Sequence, residues 1–544
     1  MQLRGKGMER LAISDNGRYF VKPDGTPFVW LADTAWTVPA RLKWDDVQHY
    51  MKTRREQGFT VLQMVVLDPE FNEEMRNPCG IQAMNNGDIL DPNEAYFSYV
   101  DWVLDQAEAY GFYVLLLPVW GELVVGWDWS GNEHPVYVNQ NNAYSYGKWI
   151  GGRMRGRDNI LWCLGGDRMP VCRGVDYRPV WREMAEGLSE GLTGRRLHFD
   201  ADREEWRKLL ITYHACHEAE TGECSTFSYW TPADQWISFT MLQSGHGLYK
   251  KNYDLIEAER APKCLPQASA NTSPQAATDT SPQVSLDTAA LIYPVWDGEP
   301  AYEMMPTCWP VEDLNSFHGT YMVRKRAYWG LLAGAFGHTY GHASVWCTAT
   351  EKDKDMICRY TWAEAIQSDG SWQMKILRDF MEAYPLAFFE PCQERLLRQS
   401  SAEDNLDTHE QAALRIAQAA QPGKTSSGTT PSGTTPSGAS PSGIPEKRQM
   451  LIYFAADTEE QIKVGDIFTG SIYGAWFNPK DGTLTRTENL STAVRGGILP
   501  VRNTSSDKED RVLILTDNPD DITVPSRNYG QSSDDKTARK VFEW

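Results

Sequence analysis

NILWCLGGD (residues 159–167) is an apolar run of strand length that stops at two glycines and a carboxylate. Alternation is missing: both faces of the extended segment would be apolar, which marks a strand buried on both sides in a parallel sheet. A surface turn would explain the Gly-Gly-Asp ending, because these residues favour tight turns. A catalytic acid at the mouth of a barrel would explain it as well. The flanks help to decide. Ala143, Tyr146, Trp149, Ile150 and Met154 recur at helical spacing before the run, and Val180, Trp181, Met184 and Leu188 do so after it.

The same unit repeats along the chain. FVWLAD (28–33) is a first strand, a helix around Trp44 to Glu56 stops at Gly58, and residues 59–66 form a second strand. Asp91-Pro92 reads as the N-cap and first residue of the next helix, whose apolar face is Phe97, Val100, Val103, Leu104 and Ala107. Residues 112–117, 159–164, 209–214, 236–243, 289–296 and 338–346 supply strands three to eight. Eight strands alternating with helices imply parallel pairing, so the expected fold is a (β/α)8 TIM barrel over residues 1–372. A Ser/Thr/Pro/Gln-rich segment at 265–288 is too polar to bury a core and is expected as a disordered insert. Short alternating runs in 373–525 predict a small all-β sandwich, interrupted by a low-complexity insert at 400–448 that carries TTPSGTTPSGASPSG, and residues 526–544 form a polar tail.

A formal net charge of −20 argues against nucleic acid or an anionic membrane as partner. There is no apolar stretch long enough to span a bilayer, and the N-terminus lacks the apolar core of a secretory signal, so a cytoplasmic location is expected over a secreted one. Ten cysteines lie scattered without a C-x-x-C pair. His214, Cys216 and His217 are near one another but alternate along a strand, so no metal site is expected. The 21 tryptophans fit sugar stacking as well as core packing.

In such a barrel, chemistry collects at the C-terminal strand ends. Those ends hold Asp33 with Trp36, Trp120 with Glu122, Asp167, His214, His246, Asp297 with Glu299, and His338 with His342. Asp167 after strand four and Glu299 after strand seven can meet across the pore. Two carboxyl groups in that relation are what glycosidic cleavage requires, one as acid and one as nucleophile or stabiliser. Asp33, Trp36, Trp120, His214, His246, Trp296 and His338 are the candidates for sugar contacts, and Gly165, Gly166 and Gly298 would let backbone approach the sugar. Blander roles stay open: a cap or ion pair for either acid, core packing for the histidines. GLSEG (187–191) matches a nucleophile-serine pattern but ends a helix instead of following a strand, so it is set aside.

FVWLADTAW, LGGD, DGEPAYE, MLQSGHG and VRKRAYWGLLAGAFGHTYGH together resemble the DUF4038 proteins, which include glycoside hydrolase family 140, over roughly residues 8–372. The C-terminal sandwich with its WFNPKDG turn is similar to a small domain labelled collagen-binding in that family. The resemblance implies a retaining, apiosidase-like glycosidase of pectic oligosaccharides, with Asp167 as acid/base, Glu299 as nucleophile and no cofactor. Many related barrels carry Asn-Glu after strand four where this chain has Gly166-Asp167. A glycosidase of other specificity, or a non-catalytic carbohydrate-binding protein on the same rim, are the alternatives.

Overall fold

Eight short buried segments take the strand conformation: Trp30–Thr34 (β1), Val61–Val65 (β2), Tyr113–Leu117 (β3), Ile160–Gly165 (β4), Ile211–His214 (β5), Thr240–Leu242 (β6), Val295–Asp297 (β7) and Gly337–Tyr340 (β8). A computed structural model describes residues 7–69, 74–128, 130–217, 222–247, 251–264, 290–307, 315–398, 409–417, 447–487, 489–504 and 509–525. The strands pair in parallel in the order β6-β7-β8-β1-β2-β3-β4-β5. Ser238 N donates to Ile211 O at 2.8 Å and Thr212 Oγ1 to Phe239 O at 2.7 Å, which joins β5 to the chain entering β6 and closes the ring.

The helices Trp44–Glu56 (α1), Glu94–Ala109 (α2), Ala143–Arg153 (α3), Arg178–Thr193 (α4), Thr226–Tyr229 (α5), Asn252–Arg260 (α6), Thr320–Leu332 (α7) and Asp369–Ala383 (α8) follow the strands in turn. The N-cap of α2 is Asn93, whose side chain accepts from Ala95 N, and not Asp91, whose carboxylate accepts from Asn85 Nδ2 in the preceding turn. α3 and α4 touch backbone to backbone. A Cβ on Gly147 would lie 2.4 Å from Met184 O, and one on Gly187 2.1 Å from Tyr144 O, so GLSEG is a packing seam with Ser189 buried in it.

Strand parity decides what faces the pore. Trp30 and Trp296 point inward with Phe239 and Phe336, their ring centroids 5.3–6.4 Å apart, and Phe20 from an N-terminal hairpin seals this floor. Above it runs a polar chain. Trp296 Nε1 donates to Thr339 Oγ1 at 3.1 Å, Thr339 Oγ1 to Gln63 Oε1 at 2.9 Å, and Gln63 Nε2 to Gly298 O at 3.0 Å. This chain fixes the peptide next to Glu299. Strands six to eight are shorter than the runs expected for them.

Beyond α8 the chain forms Glu390–Pro391 (β9), Glu410–Ala417 (β10), Lys447–Phe454 (β11), Glu459–Lys463 (β12), Tyr473–Phe477 (β13), Leu484–Arg486 (β14), Ile498–Arg502 (β15) and Arg511–Thr516 (β16). An antiparallel sheet of order β9-β10-β11-β16-β13-β14 faces the β12-β15 pair. The segment expected as an insert at 400–448 thus contributes β10, which pairs along its whole length with β11. The repeat TTPSGTTPSGASPSG, the segment 265–288 and the tail 526–544 lie outside the described residues. α8 runs across the expected domain boundary at residue 372.

Alternation also divides the second domain. Ile452 and Phe454 join Ile462 and Leu499 in its own core, while Leu451 and Tyr453 extend the barrel core. Tyr453 stacks on Tyr328 of α7 at 5.3 Å and Phe477 packs on Phe380 of α8 at 4.9 Å. Arg324 of α7 grips Asp510 with Nε 2.9 Å from Oδ2 and Nη2 2.5 Å from Oδ1, both side chains at most 3% exposed. No described helix is long and apolar enough to cross a membrane.

Candidate active site

The end of β4 is a run of left-handed backbone, with φ of +88° at Gly165, +115° at Gly166 and +47° at Asp167. Only glycine takes the first two without strain. Space demands it too. A Cβ on Gly165 would lie 2.4 Å from His214 O, and one on Gly166 2.7 Å from Trp120 Cε3. The expectation that these glycines admit a sugar is therefore corrected: their open faces are filled by the protein. The same holds for Gly298, whose Cβ would meet Met241 Cε at 2.3 Å. The turn aims two successive N–H groups at one residue of β5, with Gly166 N 3.2 Å from His214 O and Asp167 N 3.1 Å from His214 Nδ1.

His214 in turn reaches Glu299. Its Nε2 lies 2.8 Å from Glu299 Oε2, and His246 Nε2 lies 3.4 Å from Glu299 Oε1. Trp36 and Trp120 set their rings against the imidazole at 5.5 and 5.7 Å, and Trp36 Nε1 donates to Tyr302 OH at 3.2 Å. Tyr302 also hydrogen-bonds Glu299 and lies 4.4 Å from the His246 ring. Burial pushes the Glu299 carboxyl up, but the donors His214 and His246 outweigh it and hold the group well below the usual carboxylate range. Glu299 is accordingly an ionised, nearly enclosed carboxylate, its side chain 9% exposed.

Asp167 is the more open partner, its side chain 23% exposed. Gln243 Nε2 donates to its Oδ1 at 2.9 Å and Arg168 Nη1 to its Oδ2 at 3.1 Å. Arg168 is itself anchored, with Nη2 3.3 Å from Glu122 Oε2, and Glu122 Oε1 lies 3.3 Å from His134 Nδ1. Asp167, Glu299, Trp36, Trp120, His214 and His246 thus converge as expected from the strand-end rule.

Asp33, Trp296 and His338 do not join them. Asp33 points outward from β1 into the helix layer, where Arg54 Nε is 2.8 Å from its Oδ2 and Tyr50 donates to the same oxygen. Trp296 is a fully buried part of the barrel floor. His338, beside Asp297 in the β7–β8 register, is buried on the outer face of the sheet, where desolvation pulls its imidazole down to about 3. All three are removed from the sugar-contact set on geometry. Asp297 has the same outward parity, with Ser244 Oγ donating to it at 2.6 Å.

Tyr302, Gln243 and Arg168 escaped the sequence reading. Each stands within three residues of a candidate, and their roles come from loops whose course no periodicity announces. No cluster of metal-ligating side chains occurs among the described residues, and both His214 nitrogens are engaged as above.

Known proteins place this geometry in context. A family model described as "Apiosidase-like, catalytic domain" matches residues 14–387. A solved structure described as a glycoside hydrolase is 23% identical, with 94% of this chain and 97% of that chain covered at TM-score 0.67. A glycoside hydrolase family 5 structure from Bacteroides vulgatus is 22% identical, with coverage of 93% and 94% at TM-score 0.67. Another glycoside hydrolase structure from that organism is 13% identical, covering 95% and 83% at TM-score 0.58. These likenesses speak for the fold, and no curated protein matches the sequence. Since the family match spans well over half of the chain and encloses both carboxylates, the protein belongs to the apiosidase-like glycoside hydrolases.

Proposed function

We propose that the chain is a retaining glycosidase of the family 140 kind that releases apiose-linked residues from pectic oligosaccharides. The observation that carries this reading is Glu299: a buried carboxylate kept ionised by two imidazole donors, on the same hydrogen-bonded path as Asp167. An enclosed anion with its lone pairs directed by fixed donors suits attack on an anomeric carbon. Glu299 forms the bond to that carbon as the bond to the leaving oxygen breaks, and Asp167 gives the leaving oxygen its proton. Asp167 then takes a proton from water, whose oxygen displaces Glu299 and frees the sugar. His246, beside Glu299, and Trp120, packed on Gly166, are the sugar contacts in this reading, with Trp36 behind them.

The test is incubation with apiose-bearing pectic oligosaccharides, following the released sugar and its anomeric proton by NMR in the first minutes. Apiose released with the anomeric configuration of the substrate is the expected result. Initial release with inverted configuration would overturn the double displacement, and no release of apiose while another glycoside is cleaved would overturn the specificity.

A further inference from the structure

The displacement sequence gives His214 no proton to carry, yet its ring is gripped on every side. Its side chain is fully buried, and Trp36 and Trp120 flank it. A backbone N–H can only donate, so Asp167 N at 3.1 Å makes Nδ1 the acceptor nitrogen, and the ring proton belongs to Nε2, 2.8 Å from Glu299 Oε2. That backbone donor reaches Nδ1 only because Gly165, Gly166 and Asp167 turn consecutively through left-handed conformations.

We infer that the Gly-Gly-Asp turn locks His214 as a neutral Nε2–H donor to Glu299, so that the segment bearing one carboxylate sets the charge state and orientation of the other. This rests on Glu299 being the nucleophile and deepens that reading, with His214 as a positioning residue instead of the sugar contact expected from sequence. Neutrality matters. An imidazolium would pair with the carboxylate and blunt its attack, whereas a neutral donor orients it and leaves its charge available. The other groups that face Glu299 are His246 from the loop after β6, Tyr302 from its own loop, and Cys216 just beyond β5, whose thiol is pushed up by burial and by the charges of Asp167 and Glu299. None of them is tied to the Asp167 backbone in the way His214 is.

Two substitutions test the lock with the full chain and apiose-bearing pectic oligosaccharide. His214→Phe keeps a ring but removes both nitrogens, and His214→Gln places an amide donor near the Nε2 position. The Phe variant should lose about 10²-fold in kcat, with the acid limb of kcat/KM moved to higher pH by about one unit or more, and the Gln variant should restore the limb. A folded Phe variant with an unmoved acid limb would overturn the inference. The tautomer is read independently in wild-type protein labelled with 15N-histidine. His214, assigned by the signals missing from His214→Gln, should show a protonated Nε2 and a bare Nδ1 at pH 7, and an imidazolium or a proton on Nδ1 overturns the lock even if the Phe variant does not fold. Glu299→Gln separates the two levels: normal turnover there ends the nucleophile assignment, while lost turnover with an unmoved limb in His214→Phe ends only the lock.

Discussion

Four carboxylates sit at the ends of strands β1, β4 and β7, and they divide into two pairs with opposite fates. Asp33 and Asp297 are strand residues whose parity turns them outward, into Arg54 and Tyr50 in one case and Ser244 and Asn252 in the other. Asp167 and Glu299 lie past the last paired residues of their strands and turn over the pore, onto Gln243 and the two histidines. Residue type does not separate the pairs. One step of backbone does, because alternation assigns every residue inside a strand to one face, and only chain that has left the ladder is free to cross over the pore.

The contrast can be broken most sharply at Glu299. Glu299→Gln should cost on the order of 10³-fold or more in kcat while leaving the melting temperature close to wild type. Normal turnover measured by sugar release would erase the distinction between the pairs. At Asp33 the signature should reverse. Asp33→Asn leaves Arg54 buried with its charge uncompensated, so denaturant unfolding should show a loss of about 3–5 kcal/mol with kcat of the folded protein little changed. A kcat defect without a stability defect would return Asp33 to the site.

The smallest effect is expected at Asp297 and is read from pH. Burial outweighs the bonds from Ser244 and Asn252 and the pull of Arg326, and raises this carboxyl from 3.8 to about 6. The folded chain therefore holds this proton more tightly than the unfolded chain. Its contribution to stability is complete below pH 3.8 and is lost as pH climbs through about 6. Asp297→Asn should remove that slope, worth about 1–3 kcal/mol, from urea midpoints measured between pH 4 and 7. An unaltered slope would show that the proton resides elsewhere.

Much of this was legible before any coordinates. The apolar runs and helical faces specified the barrel, because burial on both sides leaves a mark that composition alone carries, and the strand-end rule then drew Asp167 and Glu299 together. Asp33 was misassigned through neglect of a rule already in hand, since counting alternation from Trp30 places it on the opposite face, whereas Trp296 does face the pore but lies in the buried aromatic floor with Trp30. Asn93 displaced Asp91 as a helix cap because a preceding turn consumed the aspartate. β10 hid inside a polar segment, since eight residues flanked by low-complexity chain give a weak periodic signal. Tyr302, Gln243 and Arg168 depend on loop geometry, for which sequence spacing has no counterpart.

The Arg324–Asp510 clasp bears on how this protein can be shortened. A truncation after Ala383 would deprive a buried guanidinium of its counter-ion and lay bare the side of α7 against which Tyr453 packs. The C-terminal sheets thus complete the burial of α7.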